Sequence, residues 1–361
     1  MTTASARPAP RLPWLFSAPM DLGVFMGSAL VALALVAIGM HTGWSRADAP
    51  EWTWITAVLL IDVAHVYATG FRVYLDPVEL RRRPVLYAIV PLIGLGGGIA
   101  LYAGLGSLIF WRVLAYLAVF HFIRQQYGWV ALYRARGGEH GRIGWWIDAS
   151  ATYMATMYPL IYWHTHLPRD FRWFIQDDFT AIPDFLGTVA EPIYWLSLGA
   201  YAARSIGRGL WRGQWNPGKD IIVLTTALCW YVGIVSLNSD FAFTVTNVII
   251  HGIPYLALVW WYSYQRRPEM HRQPMDWMRS LGIFLATLWL LAYVEEMFWD
   301  RCVWKEHARL FGTPWDIGAF NIAIVPLLAV PQFTHYVLDG FIWKRRTNPG
   351  MSILLPRMVN N

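Results

Sequence analysis

The chain has 361 residues, 56% of them hydrophobic and only 14% charged, with a mean hydropathy of +0.36. That composition excludes an ordinary soluble domain and predicts an all-α, polytopic transmembrane bundle. The net charge of +6 and the pI near 9.3 do not call for nucleic acid, because the basic residues sit in short alternating connections with no separable basic patch.

Ten segments are long enough to cross a bilayer, at 19–40, 52–73, 85–105, 107–131, 145–163, 189–209, 220–238, 241–264, 277–298 and 317–343. Each carries the roughly 20 mostly apolar residues a spanning helix needs. The 22 Trp and 18 Tyr suit aromatic belts at the two interfaces. Residues 1–18 read as a cytosolic N-terminal tail without a cleavage pattern, 19–343 as one helical membrane domain and 344–361 as a cytosolic C-terminal tail.

Alternate connections hold most of the cations: Arg7 and Arg11; Arg72, Arg81, Arg82 and Arg83; Arg134, Arg136 and Arg142; Arg204, Arg208, Arg212 and Lys219; Arg266, Arg267 and Arg272; Lys344, Arg345, Arg346 and Arg357. The other side has Arg46, Arg169, Arg172, Arg301, Lys305 and Arg309. By the positive-inside rule both termini are cytosolic, which requires an even number of spans. The short loops and the lack of targeting segments suggest a bacterial inner membrane. Cys229, in a span, and Cys302, in an outer loop, are not expected to pair.

The first span looks structural. The second carries Asp62, His65 and Thr69 on one helical face, with Asp62 spaced to orient the His65 ring. The third contains LIGLGGGIAL, a glycine-rich stretch that predicts close helix packing. In the fourth, Phe120-His121-Phe122-Ile123-Arg124-Gln125-Gln126-Tyr127-Gly128 sets His121, Arg124, Gln125 and Gly128 on one face, which should point inward. A metal would repel Arg124, so that residue is expected to pair with a carboxylate or a substrate oxygen.

The fifth span has Asp148 near its start. The outer loop after it opens with His164 and His166, which read as a solvated interfacial pair, on a loop that forms a lid or a short surface helix. The sixth and seventh spans read as scaffold. The eighth places Asn247, His251 and Tyr255 at steps of four, with Pro254 expected to kink the helix. Glu295 and Glu296 near the outer end of the ninth read as interfacial. The tenth carries Pro326, Pro331, His335 and Asp339.

His65, His121, His251 and His335 lie on even-numbered spans, which run parallel. At ~1.5 Å per residue they sit ~10, ~20, ~22 and ~14 Å from their cytosolic flanking charges, compatible with one layer in the inner half of the bilayer. A buried imidazole needs a partner for each polar nitrogen, and each of the four has a polar neighbour at helical spacing: Asp62, Gln125, Asn247 and Asp339. Four such groups predict a single metal site. Imidazole donors suit Fe, Zn, Cu or Ni, and the lack of carboxylates at that depth disfavours Mg and Ca.

The four segments resemble, in order, the histidine segments of the Brp/Blh-type membrane-integral β-carotene 15,15′-dioxygenases. The similarity rests on His121-Phe122, on His251 followed by Val259-Trp260, and on His335-Tyr336-Val337-Leu338-Asp339-Gly340-Phe341-Ile342-Trp343-Lys344; His65 matches only as a helix histidine. The chain departs from that family at Thr69, where an acid is expected, and at Tyr255, where the family has a second histidine. It also has more spans. The resemblance implies iron at the histidines and an oxygenase acting on a carotenoid, another isoprenoid or a long-chain lipid. Arg124, Gln125 and Tyr255 would line its cavity, and Asp62, Asn247 and Asp339 would orient the ligands. The alternatives are a bis-histidine haem b protein, a transporter or channel with a polar intramembrane path, and a membrane assembly factor.

Overall fold

The ten apolar stretches become ten long helices in the computed structural model, which describes residues 12–46, 49–267, 273, 275–344 and 348–355. They are α1 (Ala18–Thr42), α2 (Glu51–Arg72), α3 (Pro84–Leu105), α4 (Ser107–Arg136), α5 (Arg142–Thr165), α6 (Phe185–Arg212), α7 (Pro217–Ser236), α8 (Asp240–Gln265), α9 (Asp276–Trp304) and α10 (Gly318–Ile342). Among the described residues there is no strand, so the all-α expectation holds. Eight of the ten are long and apolar enough to cross a membrane; α5 and α6 are as long but more polar. Most of the N-terminal tail, with Arg7 and Arg11, lies outside the described residues, as do Arg272, Arg345, Arg346 and Arg357.

Local chemistry sets the helix ends. Ser17 caps α1 by accepting from the Met20 amide at 3.3 Å, and Ser239 caps α8 by accepting from Ala242 at 3.3 Å. Pro217 occupies the first turn of α7, where its missing N–H costs nothing. Helix α10 is interrupted at Ala329, two residues before Pro331. Helix α2 is wound as a π-helix over Trp54–Val63 and returns to α-helical winding one residue before His65.

Helix α8 is the central rod, buried on nearly every side against α1, α2 and α7. The glycines of α3 do bring it close to a neighbour. A Cβ at Gly94 would lie 2.5 Å from the Phe333 ring, and one at Gly98 2.9 Å from Pro326, both on α10. Gly96 faces open space. Gly94→Ala is therefore expected to cost ~1–3 kcal/mol by overpacking, with Gly96→Ala neutral or stabilising. Unfolding midpoints of the two variants in mild detergent check this.

The ends of the chain are less tail-like than expected. Leu15, Met351, Leu354 and Leu355 are buried with Phe25, Trp129, Tyr133 and Leu258. These stretches are too short to span, but a few apolar side chains are enough to fill a groove. Arg136, at the end of α4, donates to the Trp14 carbonyl at 3.1 Å and the Leu354 carbonyl at 3.3 Å. Both described ends therefore lie on the same side of the bundle.

That side also holds an ionic cluster that ties α5, α6 and α7 to the loop after α4. Lys219, 2% exposed, donates to both Glu139 oxygens (2.9 and 2.8 Å) and to Asp148 (3.1 Å). Arg134 pairs with Asp148, Arg208 with Glu139, and Arg204 reaches both carboxylates at 3.1 and 2.9 Å. Burial pushes the Glu139 carboxyl up, but Lys219, Asn216 and Arg208 outweigh it and hold the group down at about 2. The two scaffold helices are thus pinned by charges at their ends as well as by the buried apolar contacts of Tyr158, Tyr194, Tyr201 and Ile222.

Candidate metal centre

A polar side chain on a helix within an apolar bundle has no partner in lipid, so the stripe that carries it turns inward. Four helices do this at one point. His65 on α2, His121 on α4, His251 on α8 and His335 on α10 are all at most 3% exposed, and one ring nitrogen from each falls within 4.8 Å of all the others. The closest approaches are His65 Nε2 to His251 Nε2 at 3.1 Å and His121 Nε2 to His335 Nε2 at 3.0 Å. All four Nε2 atoms face the centre.

The outer nitrogens are held differently from ring to ring. His335 Nδ1 lies 2.7 Å from the Thr69 hydroxyl, which is 3.3 Å from the Tyr255 hydroxyl. His65 Nδ1 faces Asp62 at 3.5 Å, on the side its spacing predicts but without a hydrogen bond among the described residues. Asp339, expected beside His335 on its own helix, instead faces His121 across the gap at 3.8 Å. The His251 ring lies flat on Phe122, with centroids 3.5 Å apart and planes 6° apart, while its Nδ1 has no hydrogen-bond partner among the described residues. Asn247 does not supply one: its amide donates to the Phe243 carbonyl at 3.0 Å and to Thr246 at 3.2 Å. A carbonyl one turn back on its own helix outcompetes the ring one turn ahead.

Gln125 is buried and donates to the His251 carbonyl at 2.8 Å, tying α4 to α8 beside the cluster. Arg124 departs from expectation. It is exposed, donates to the Tyr153 hydroxyl on α5, and lies 5.3 Å from the Tyr127 ring centroid; its partner is a phenol, not a carboxylate. One residue's rotation from Gln125 is 100°, enough to move a side chain from the buried face to the rim.

Glu295 and Glu296 also differ from the interfacial reading, being 4% and 7% exposed. Glu295 accepts from Trp299 at 3.0 Å and from Gln332 on α10. Helix α9 runs on to Trp304, so the two acids lie more than a turn inside its end. His164 is buried as well, with Nδ1 2.6 Å from the Leu160 carbonyl and Nε2 3.0 Å from the Tyr116 hydroxyl, while the exposed His166 stacks on Tyr162. The two do not form a metal pair. Their loop contains no surface helix; Trp173 and Phe174 lie along the wall of a cavity. Cys229 and Cys302 are free and buried.

Two cavities reach the cluster. One, of about 320 Å³, is lined on α4, α8 and α10 mainly by residues after the histidines: Arg124, Gln125, Trp129, Tyr255, Asp339 and Trp343, with His121 at its inner end. The other, of about 500 Å³, is lined mainly by residues before the histidines, including Trp54, Asp62, Asn247 and Glu296, with His65 at its inner end and Arg172 from the outer loop. They therefore approach from opposite ends of the bundle. Tyr336 borders both and stacks over His121, with centroids 5.1 Å apart. Phe122 and Tyr336 lie in the stretches that carry the resemblance, but their stacking on His251 and His121, and the place of Glu296 in the second cavity, come only from their neighbours in space.

Because Asp339 faces the outer nitrogen of His121 at 3.8 Å, a metal held by the four rings would be retained ~10–100-fold more weakly in Asp339→Asn, with the bundle still folded. Competition against graded chelators measures this. No protein-family model, curated protein or solved structure matches the chain.

Proposed function

We propose that the protein is a membrane-integral oxygenase in which His65, His121, His251 and His335 hold one iron ion, acting on a hydrophobic isoprenoid, carotenoid or lipid substrate. The observation that carries this reading is the convergence of four buried Nε2 atoms on one point. With Asp62, Asp339 and Thr69 beside three of the outer nitrogens, the neutral rings of His65, His121 and His335 keep their Nδ1 protons there and turn three Nε2 lone pairs inward, toward the Nε2 of His251. His251, with no partner at Nδ1 among the described residues, is free to donate from Nε2 to His65 at 3.1 Å, and a cation among the four nitrogens relieves the repulsion between the His121 and His335 lone pairs. The closest Nε2 separations of 3.0 and 3.1 Å match adjacent ligands on a metal with bonds of ~2.1 Å.

Imidazole donors accept iron, zinc or copper alike; iron is favoured by the family resemblance at His121, His251 and His335. Bound there, iron would supply the one-electron chemistry that oxygen reactions need. The chain's own residues do the rest. Thr69, Asp62 and Asp339 orient rings, Gln125 locks the backbone under His251, and the Tyr255 and Thr69 hydroxyls form a two-step proton path from the cavity wall to His335 Nδ1.

The topology that goes with this reading is ten spans in a bacterial inner membrane, with both termini cytosolic. Reporter fusions at the two ends test that part. Elemental analysis of protein purified in mild detergent tests the core: about one iron per chain is expected, and protein with no transition metal ends the reading. A haem would need a flat slot between two axial rings, and four rings whose ligand nitrogens all lie within 4.8 Å of one another leave none. A transporter is the second reading, favoured by the two opposed cavities. Gradient-driven flux in liposomes from metal-free protein would select it.

A further inference from the structure

We infer that the cavity ending at His121 binds an acyl chain that terminates in an acid group, with Arg124 as the ligand of that group. This rests on the histidine cluster being the reaction centre, and it narrows the substrate class to acidic amphiphiles.

Arg124 lies seven residues before the end of its predicted span at 131, ~10 Å along the helix, so its attachment point lies within the apolar layer. A cation at such depth is costly unless an anion or a water-filled space compensates it. Among the described residues no carboxylate comes within ion-pair distance of it; it has only the Tyr153 hydroxyl and the Tyr127 ring. A guanidinium so placed has donors left over for a planar oxyanion, and a carboxylate or phosphate matches its fork.

The cavity supplies the other half of an amphiphile's shape. Its wall beside Arg124 is apolar, with Phe120, Trp129, Leu132, Leu258 and Trp343, and Lys344 adds a second cation to the lining. Phe120 is 61% exposed, so the rim opens toward lipid on the face of α4 that carries Arg124. At the inner end stand His121, Tyr255 and Asp339. A chain anchored at Arg124 would lie along this wall and pass the cluster. A pure hydrocarbon would give Arg124 nothing to hold.

The test measures binding, not turnover. Tritiated palmitate is titrated onto the full chain in neutral detergent, before and after chelator treatment, with hexadecanol and a phosphatidylglycerol as competitors. Palmitate is expected to bind at least ~10-fold more tightly than hexadecanol, the scale of one charge-assisted contact. Arg124→Gln is expected to remove that preference while leaving hexadecanol binding unchanged, and Tyr153→Phe, which frees the guanidinium, to keep it. Equal affinity for acid and alcohol, or an unaltered preference in Arg124→Gln, overturns the inference. Displacement of bound palmitate by phosphatidylglycerol at lower concentration than by unlabelled palmitate assigns the site to a bilayer lipid and overturns the substrate assignment. Because the preference is read on metal-free protein too, a lack of native metal would end the oxygenase reading without deciding this one.

Discussion

If the four histidines hold iron as proposed, replacing His335 by alanine is expected to leave the purified protein with about a tenth or less of the wild-type metal content, because one of the four donors and the Thr69 contact that holds it both disappear. His335 is fully buried, and its Nε2 lies 3.0 Å from that of His121. Truncation also leaves a hole, so His335→Gln serves as the volume-preserving partner variant. Both should retain the helical circular dichroism of the wild type while losing metal. His166→Ala should retain the metal, since that ring is exposed and stacked on Tyr162. Full metal content in both His335 variants would mean that the four-histidine centre is not where the metal sits.

Glu139→Gln is expected to destabilise the bundle by about 1.5–3 kcal/mol at neutral pH, the scale of charge-assisted hydrogen bonds lost to a buried partner that keeps Asp148. The partner is Lys219, 2% exposed and bonded to both Glu139 oxygens. The pH dependence has a definite sign. The Glu139 carboxyl is held down at about 2 in the folded protein against an ordinary value of 4.5. Its contribution is therefore fully present above 4.5 and is lost as the pH falls from there toward 2. Unfolding of the wild type and the variant, followed in detergent across that window, should show a gap that is widest at neutral pH and closes on acidification. A gap that stays constant with pH would remove the charge from the explanation.

The sharpest contrast between sequence and structure lies within α4. His121 and Gln125 are buried as their spacing implies, yet Arg124, assigned to the same stripe, points out to the rim and meets Tyr153. A stripe of residues at steps of three and four spans a broad arc of the helix, and the line between the buried part of that arc and the rim depends on which neighbour lies alongside. Asp339 shows the same limit. Spacing of four puts it on the face of His335, but the ring it meets belongs to His121 on another helix. Thr69 likewise shares a face with His65 and bonds to His335.

What the sequence alone determined is the set of helices and the burial of the four histidines. Both follow from one-dimensional physics: apolar runs of spanning length must satisfy their own backbone, and polar groups on them must turn away from lipid. The convergence of the four histidines' ligand nitrogens within 4.8 Å, the ring that each of Asp62, Asp339 and Thr69 faces, the burial of Glu295 and Glu296 and the two opposed cavities were decided by the tertiary structure. Helical periodicity sets the face of a residue on its own helix. Which other helix meets that face is set by side-chain packing between residues far apart in the chain, such as Gly94 against Phe333 and Phe122 against His251.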